Sequence, residues 1–77
     1  MDIQRLVHMA NDIARFYHAE PDREEAVNGV LTHIQRFWDP RMRRELLLFV
    51  DEHGGEGLHD SALSAIRQNR EKLTPHD

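Results

Sequence analysis

The chain has 77 residues, of which 39% are hydrophobic, and ten basic against fourteen acidic side chains give a net charge of −4. This length suits one domain, residues 1–77, whose own core supplies only about 3–5 kcal/mol of stability. The lack of cysteine excludes disulfides, thiolate metal sites and iron–sulfur clusters, and the negative charge disfavours a dedicated nucleic-acid-binding protein. No apolar run reaches the length of a membrane helix, and the N-terminus lacks a signal-peptide core. We therefore expect a small domain, away from the membrane, that depends on a partner.

The first predicted helix covers about residues 2–19. Asp2 is placed to cap its first turn, and Met9 and Phe16 widen its apolar stripe at one edge. The residues of the stripe recur at i, i+3, i+4 and i+7, as on one face of an amphipathic helix: Ile3, Leu6, Val7, Ala10, Ile13, Ala14 and Tyr17.

The second predicted helix covers about residues 23–38, after an interruption at Glu20-Pro21. Asp22 and Glu25 resemble a capping box. Gly29 lies inside the helix at a cost of about 1 kcal/mol relative to alanine. This cost is either tolerated or explained by the close approach of another backbone. The apolar side comprises Ala26, Val27, Val30, Leu31, Ile34, Phe37 and Trp38.

Two further helices complete the predicted architecture. Asp39 and Pro40 suit the N-cap and first position of a helix over 40–53, and Gly54-Gly55 suits a left-handed C-cap. A shorter helix over about 60–72 has Asp60 as its expected cap, and residues 73–77 are expected to form a frayed tail. Because no alternating run or hairpin signal appears, the sequence predicts an all-α fold, a small bundle of three main helices plus a shorter fourth.

Catalytic and metal-binding chemistry has little support in the sequence. Six histidines suggest a zinc-dependent domain, but no HExxH motif occurs and no two histidines share a helical face at ligand spacing. Solvated surface histidines are the simpler interpretation. Nucleophile motifs and phosphate-binding loops are also missing, so we expect no catalytic residue, no cofactor and no metal.

The segment from His33 to Val50 is the most informative for function. It contains the single tryptophan and four arginines, residue types that are enriched at interface hot spots. Leu48 projects away from the core, either as a partner anchor or as an ordinary exposed leucine. Trp38 either completes the core or lies at the contact. The predicted partner-binding surface comprises Arg36, Phe37, Trp38, Pro40, Arg41, Met42, Arg44 and Leu48.

An alternative function remains open for the same segment. The short turn before helix 40–53 is compatible with a small DNA-binding or regulatory protein that uses this helix for recognition. However, Glu45, Asp51 and Glu52 follow the arginines on the helix. Intramolecular or intersubunit ion pairs therefore explain these arginines better than phosphate contacts do.

Three segments resemble a known family: MANDIARFY (9–17), HIQRFWDPRMRRELL (33–47) and GGEGL (54–58). Together with the helix that follows, they are similar to the delta subunit of soluble NAD-dependent formate dehydrogenase, over roughly residues 2–70. The side chains of the central block that match are Phe37, Trp38, Pro40, Arg41, Met42 and Arg44.

The resemblance implies a small accessory subunit, without a redox centre, of a cytoplasmic molybdenum enzyme that oxidises formate and reduces NAD. In that family the alpha subunit holds the molybdopterin cofactor and iron–sulfur clusters, while beta and gamma subunits pass electrons to flavin and NAD. The delta subunit is expected to bind the alpha subunit and to stabilise it or help it mature. An isolated chain could instead form a homodimer through the apolar surface intended for its partner.

Overall fold

The computed structural model describes residues 2–75, and these form five α-helices and no strand. Their bounds are α1 Ile3–Tyr17, α2 Arg23–Phe37, α3 Pro40–His53, α4 Asp60–Gln68 and α5 Arg70–Leu73. The predicted all-α class is confirmed. Two residues of the expected frayed tail, 76 and 77, lie outside the described residues.

Aspartate side chains cap the first three helices, as their positions in the sequence indicate. A carboxylate oxygen of Asp2 accepts from the backbone N–H of Gln4 at 3.0 Å, and one of Asp22 accepts from that of Glu24 at 2.9 Å. Asp39 accepts from Met42 at 2.9 Å, with Pro40 in the first turn of α3. Each cap satisfies one of the backbone donors that the first turn of a helix leaves without an intrahelical acceptor.

Gly54 ends α3 in the left-handed conformation that its position predicts. Its φ is 68°, and its N–H donates to the carbonyl of Val50 at 2.9 Å. Only glycine adopts this conformation without a steric penalty from Cβ. The chain therefore turns away from α3 into the glycine-rich loop that leads to α4.

Asp60 is not the cap of α4, contrary to expectation. His59 occupies the N-cap position and no side chain caps the helix. Asp60 is the first helical residue, and its carboxylate instead accepts from Arg23 Nη2 at 2.6 Å. Asp60 therefore links the first turns of α4 and α2.

The prediction of a single helix over residues 60–72 is also wrong, because the helix breaks at Asn69. Asn69 has φ −133° and ψ 36°, and its side-chain amide donates to the carbonyl of Ala65 at 3.0 Å. Such a side-chain bond competes with the helical backbone ladder. The break directs α5 back to the bundle. Leu73, which the sequence places at the boundary between the apolar side of this helix and the tail, is only 1% exposed.

All five helices contribute to one hydrophobic core, in which α2 packs mainly against α1 and α4. The largest fully buried side chains are Leu6, Val30, Ile34, Leu46, Ile66 and Leu73. Ala10, Ala62 and Ala65 are also fully buried, and side chains this small let neighbouring helices approach closely. The core therefore uses one face of each helix and leaves the opposite faces available for contacts.

Candidate partner-binding surface

The structure divides the predicted partner-binding residues between the core and exposed positions on α2 and α3. Trp38 belongs to the core, with 5% of its surface exposed. Met42 is half-buried and packs against the same core. Of the two interpretations of Trp38, its burial supports the core role, and only a small part of the indole is accessible to a partner.

One surface is the outer side of α3, which we call the α3 outer face and define by Arg41, Arg44 and Leu48. All three side chains are exposed, and Leu48 is exposed by 53%. Leu48 follows Arg41 by seven residues and Arg44 by four, so the three lie on one side of the helix. Pro40 and Arg36 are also exposed, near the α2–α3 corner.

Phe37 is the last residue of α2 and does not belong to the α3 outer face. Its side chain is 72% exposed, and its ring lies 4.7 Å from the ring of His33 on the preceding turn of α2. Because His33 lines a groove between α1 and α2, Phe37 adjoins that groove.

The α1–α2 groove was not predicted from the sequence. It has a volume of about 410 Å³ and is lined by Asp12, Ile13, Phe16, Tyr17 and His33. Phe16 is 77% exposed, and its ring meets that of Tyr17 edge-on at 5.0 Å. The signal in the sequence is the helical position of Phe16, which lies well off the buried stripe of α1 and, contrary to expectation, does not widen it.

The base of the groove depends on a close contact between its two helices. A Cβ atom added to Gly29 in α2 would lie 2.5 Å from Cε1 of Tyr17. The aromatic ring therefore occupies the space that any other residue at position 29 would need. This answers the question that the sequence left open about Gly29, since the close approach is by a side chain and not by another backbone.

The charged groups at the edge of the groove are unequally neutralised. Arg15 donates to the Asp12 carboxylate at 2.5 Å, and His8 lies 3.5 Å from it. The hydrogen bond from Arg15 is the main cause that lowers the pKa of Asp12. Desolvation partly opposes it, and the charges of His8 and Arg15 lower the pKa further by smaller amounts. Arg36, which follows His33 by one turn, forms no salt bridge with another described residue. The unpaired charge at this edge is therefore positive.

A second surface groove lies near the C-terminal end of α3. It has a volume of about 540 Å³ and is lined by Ile3, Gln4, Phe49, His53, Glu56 and Gly57.

Within residues 2–75, no group of three or more histidine, aspartate or glutamate side chains is placed to hold a metal ion. None of the described helices is long and apolar enough to cross a membrane.

These features define a class of protein, a small all-helical protein that exposes aromatic, aliphatic and cationic side chains on its described helices. Residues 5–66, most of the chain, match the family of the NADH-dependent formate dehydrogenase delta subunit FdsD. The chain therefore belongs to this family, which confirms the resemblance seen in the sequence. Neither the curated proteins nor the solved structures gave a match.

Proposed function

We propose that this chain is a non-catalytic accessory subunit that binds the alpha subunit of a cytoplasmic, molybdenum-containing formate dehydrogenase. The observation that carries the proposal is the family match over residues 5–66. In this proposal the chain supplies no catalytic group, and formate oxidation and NAD reduction take place on the larger subunits.

Binding would act on the alpha subunit through mass action. A subunit that binds only the folded, cofactor-loaded form of its partner stabilises that form by RT ln(1 + L/Kd), where L is the free concentration of the subunit. The same preference would favour maturation, because it withdraws the loaded form from the equilibrium with unloaded or partly unfolded forms.

Exposed side chains of the right type support a binding role. Phe16, Phe37 and Leu48 are the large hydrophobic residues that the described chain leaves exposed, and Arg36, Arg41 and Arg44 lie near two of them along the sequence. Aromatic and arginine side chains are enriched among the residues that dominate binding energies. The α3 outer face and the corner at Pro40 remain our proposed contact for the cationic side chains.

Co-expression tests this function directly. We expect a tagged alpha subunit to co-purify this chain, and to show a higher melting temperature, more molybdenum and more formate-dependent NAD reduction than alpha subunit produced without it. Equal molybdenum content, stability and turnover with and without the chain would contradict the proposal.

A charge-reversal pair tests the α3 outer face. The double variant R41E/R44E should co-purify less well with the alpha subunit, while its helicity stays unchanged. The matched control R67E/K72E makes the same change in net charge at exposed positions of α4 and α5 and should bind normally. Full co-purification of R41E/R44E would remove this face from the contact.

A further inference from the structure

Phe16, which lines the α1–α2 groove, and Phe37, which adjoins it at His33, are the two most exposed large aromatic side chains in the described chain. Phe16 stands at one end, next to Tyr17, whose ring packs over Gly29. Phe37 adjoins His33 toward the other end, because it lies eight residues beyond Gly29 on α2. Ile13, Tyr17 and His33 are half-buried between them. Exposed aromatic rings that flank a concave apolar strip are a typical feature of a protein-binding groove.

The groove and Phe37 together have the length of about two turns of a helix. From Ile13 to Tyr17 its α1 wall is about one turn long, and Phe37 extends it along α2, so that two turns of a bound helix would fit. Its base is fixed, because the Tyr17 ring packs directly over Gly29. A helix placed in such a groove presents apolar side chains at i, i+3 or i+4, and i+7.

A second copy of this chain is a poor occupant because the area is too small. Two phenylalanine side chains of about 200 Å² each, exposed by 77% and 72%, offer roughly 300 Å². The half-buried residues add less, so the groove supplies only about half of the roughly 800 Å² per partner that a stable interface needs. A larger protein can cover the groove together with the adjoining corner at Arg36 and Pro40.

The charged side chains near the groove indicate which polar side chain the bound segment carries. The groove's carboxylate, Asp12, is engaged by Arg15 at 2.5 Å. Arg36 lies one turn from His33 on the same side of α2 and has no salt-bridge partner among the described residues. An acidic side chain of the occupant would pair with Arg36, whereas a basic one would be repelled.

We infer that the α1–α2 groove, together with Phe37, binds a short amphipathic helix of the catalytic subunit, which places apolar side chains against Phe16 and Phe37 and a carboxylate near Arg36. This inference rests on the proposed function and specifies its contact surface. It adds a contact that is separate from the α3 outer face.

Pull-down with the full-length alpha subunit tests the inference by comparing exposed apolar residues on the two surfaces. The variant F16S/F37S should reduce the fraction that co-purifies at least tenfold, as expected for hot-spot residues, and R36E should reduce it by a smaller factor. L48S, which removes an exposed apolar side chain from the α3 outer face, compares the two proposed contacts and should retain more binding than F16S/F37S. Far-UV circular dichroism and thermal melts must show that all these variants fold.

Site-specific cross-linking supplies a readout that does not depend on loss of binding. A photoreactive phenylalanine analogue at position 16 should cross-link to a peptide of the alpha subunit whose apolar residues have helical spacing and are accompanied by an acidic residue. The same analogue at exposed Thr32 on α2 serves as the control for random encounter and should give a much weaker product.

The outcomes separate this inference from the function on which it rests. If the wild-type chain does not co-purify with the alpha subunit, the proposed function fails. If the wild type binds and folded F16S/F37S binds equally well, the function stands and the groove assignment is overturned. A cross-link from position 16 to a second copy of this chain would overturn the choice of occupant.

Discussion

The ring of Tyr17 occupies the space directly above the backbone of Gly29. A Cβ at position 29 would lie 2.5, 2.6 and 2.7 Å from three ring carbons, which is closer than such atoms approach in folded proteins. Tyr17 is the last residue of α1, and Gly29 lies near the middle of α2. The pair therefore sets how closely α1 approaches α2 beside the groove.

The first prediction concerns the variant G29A. Alanine is favoured over glycine inside a helix by about 0.8–1 kcal/mol, so at an unconstrained site the change would stabilise the protein. Here the ring must move, and overpacking of this kind typically costs about 1–3 kcal/mol. We expect G29A to lower the free energy of unfolding, measured with urea.

A double-mutant cycle isolates the contact. In the background Y17A the added methyl group meets no ring, and G29A should then stabilise the protein by roughly the helix-propensity difference of about 1 kcal/mol. A stabilising effect of G29A in both backgrounds would show that Tyr17 does not constrain position 29.

The bounds of the three long helices could be predicted from the sequence because the signals that fix them are local. Periodic apolar residues, aspartate caps and a glycine C-cap act over one or two helical turns. They gave α3 over 40–53, the bounds it has in the structure, and placed α1 and α2 within two residues at each end. They also gave the exposure of Leu48, since its position lies opposite the buried residues of α3.

Most features that the sequence did not predict depend on contacts between residues distant in the sequence. The bond from Arg23 to Asp60 spans 37 positions and removes Asp60 from its expected capping role. The α1–α2 groove arises only when two helices are paired, so Phe16 on α1 and His33 on α2 gave no joint signal. The break at Asn69 is local, but asparagine occurs in helices often enough that the sequence alone did not indicate it.

The second prediction uses Trp38 as a probe of the core. Because the chain has one tryptophan and it is 5% exposed, its fluorescence should be blue-shifted and weakly quenched by acrylamide. Both properties should change together with helicity on unfolding, and W38A should cost about 3–5 kcal/mol. Emission typical of a solvated indole in the folded protein would show that Trp38 lies on the surface.

The third prediction concerns Asn11, which fixes the loop before α4. Its side-chain amide donates to the carbonyl of Gly57 at 2.9 Å, and its carbonyl accepts from the N–H of His59 at 2.8 Å. N11A removes both bonds and should destabilise the fold by about 1–3 kcal/mol, with faster hydrogen exchange at His59. N28A, at an exposed position of α2, should change stability by less than about 0.5 kcal/mol. Equal effects of the two variants would contradict the role of Asn11.

The fourth prediction concerns α5, which closes the core from the end of the chain. Arg70 forms two parallel hydrogen bonds with Asp51 at 2.7 and 2.8 Å, and Leu73 is 1% exposed. L73A should therefore cost about 2–5 kcal/mol in a denaturant titration, whereas the neighbouring exposed change K72A should cost almost nothing. A tail that packs loosely would give the same small effect for both variants.

The fifth prediction concerns the pH dependence of Asp12. The hydrogen bond from Arg15 lowers the pKa of the Asp12 carboxyl in the folded state. Its contribution to stability is therefore present above the ordinary aspartate pKa of about 3.9 and is lost as the pH falls through the lowered folded value. The variant R15A should return the pKa of Asp12 toward that ordinary value, as measured by NMR titration of the carboxyl carbon. The control variant R67A should leave the pKa of Asp12 lowered.

Since Asp12 is exposed, the accompanying change in melting temperature should be small, confined to acidic pH and weaker at high salt. If Asp12 titrates identically in wild type and R15A, Arg15 does not neutralise the edge of the groove, and the carboxylate would then be free to attract a basic partner residue there.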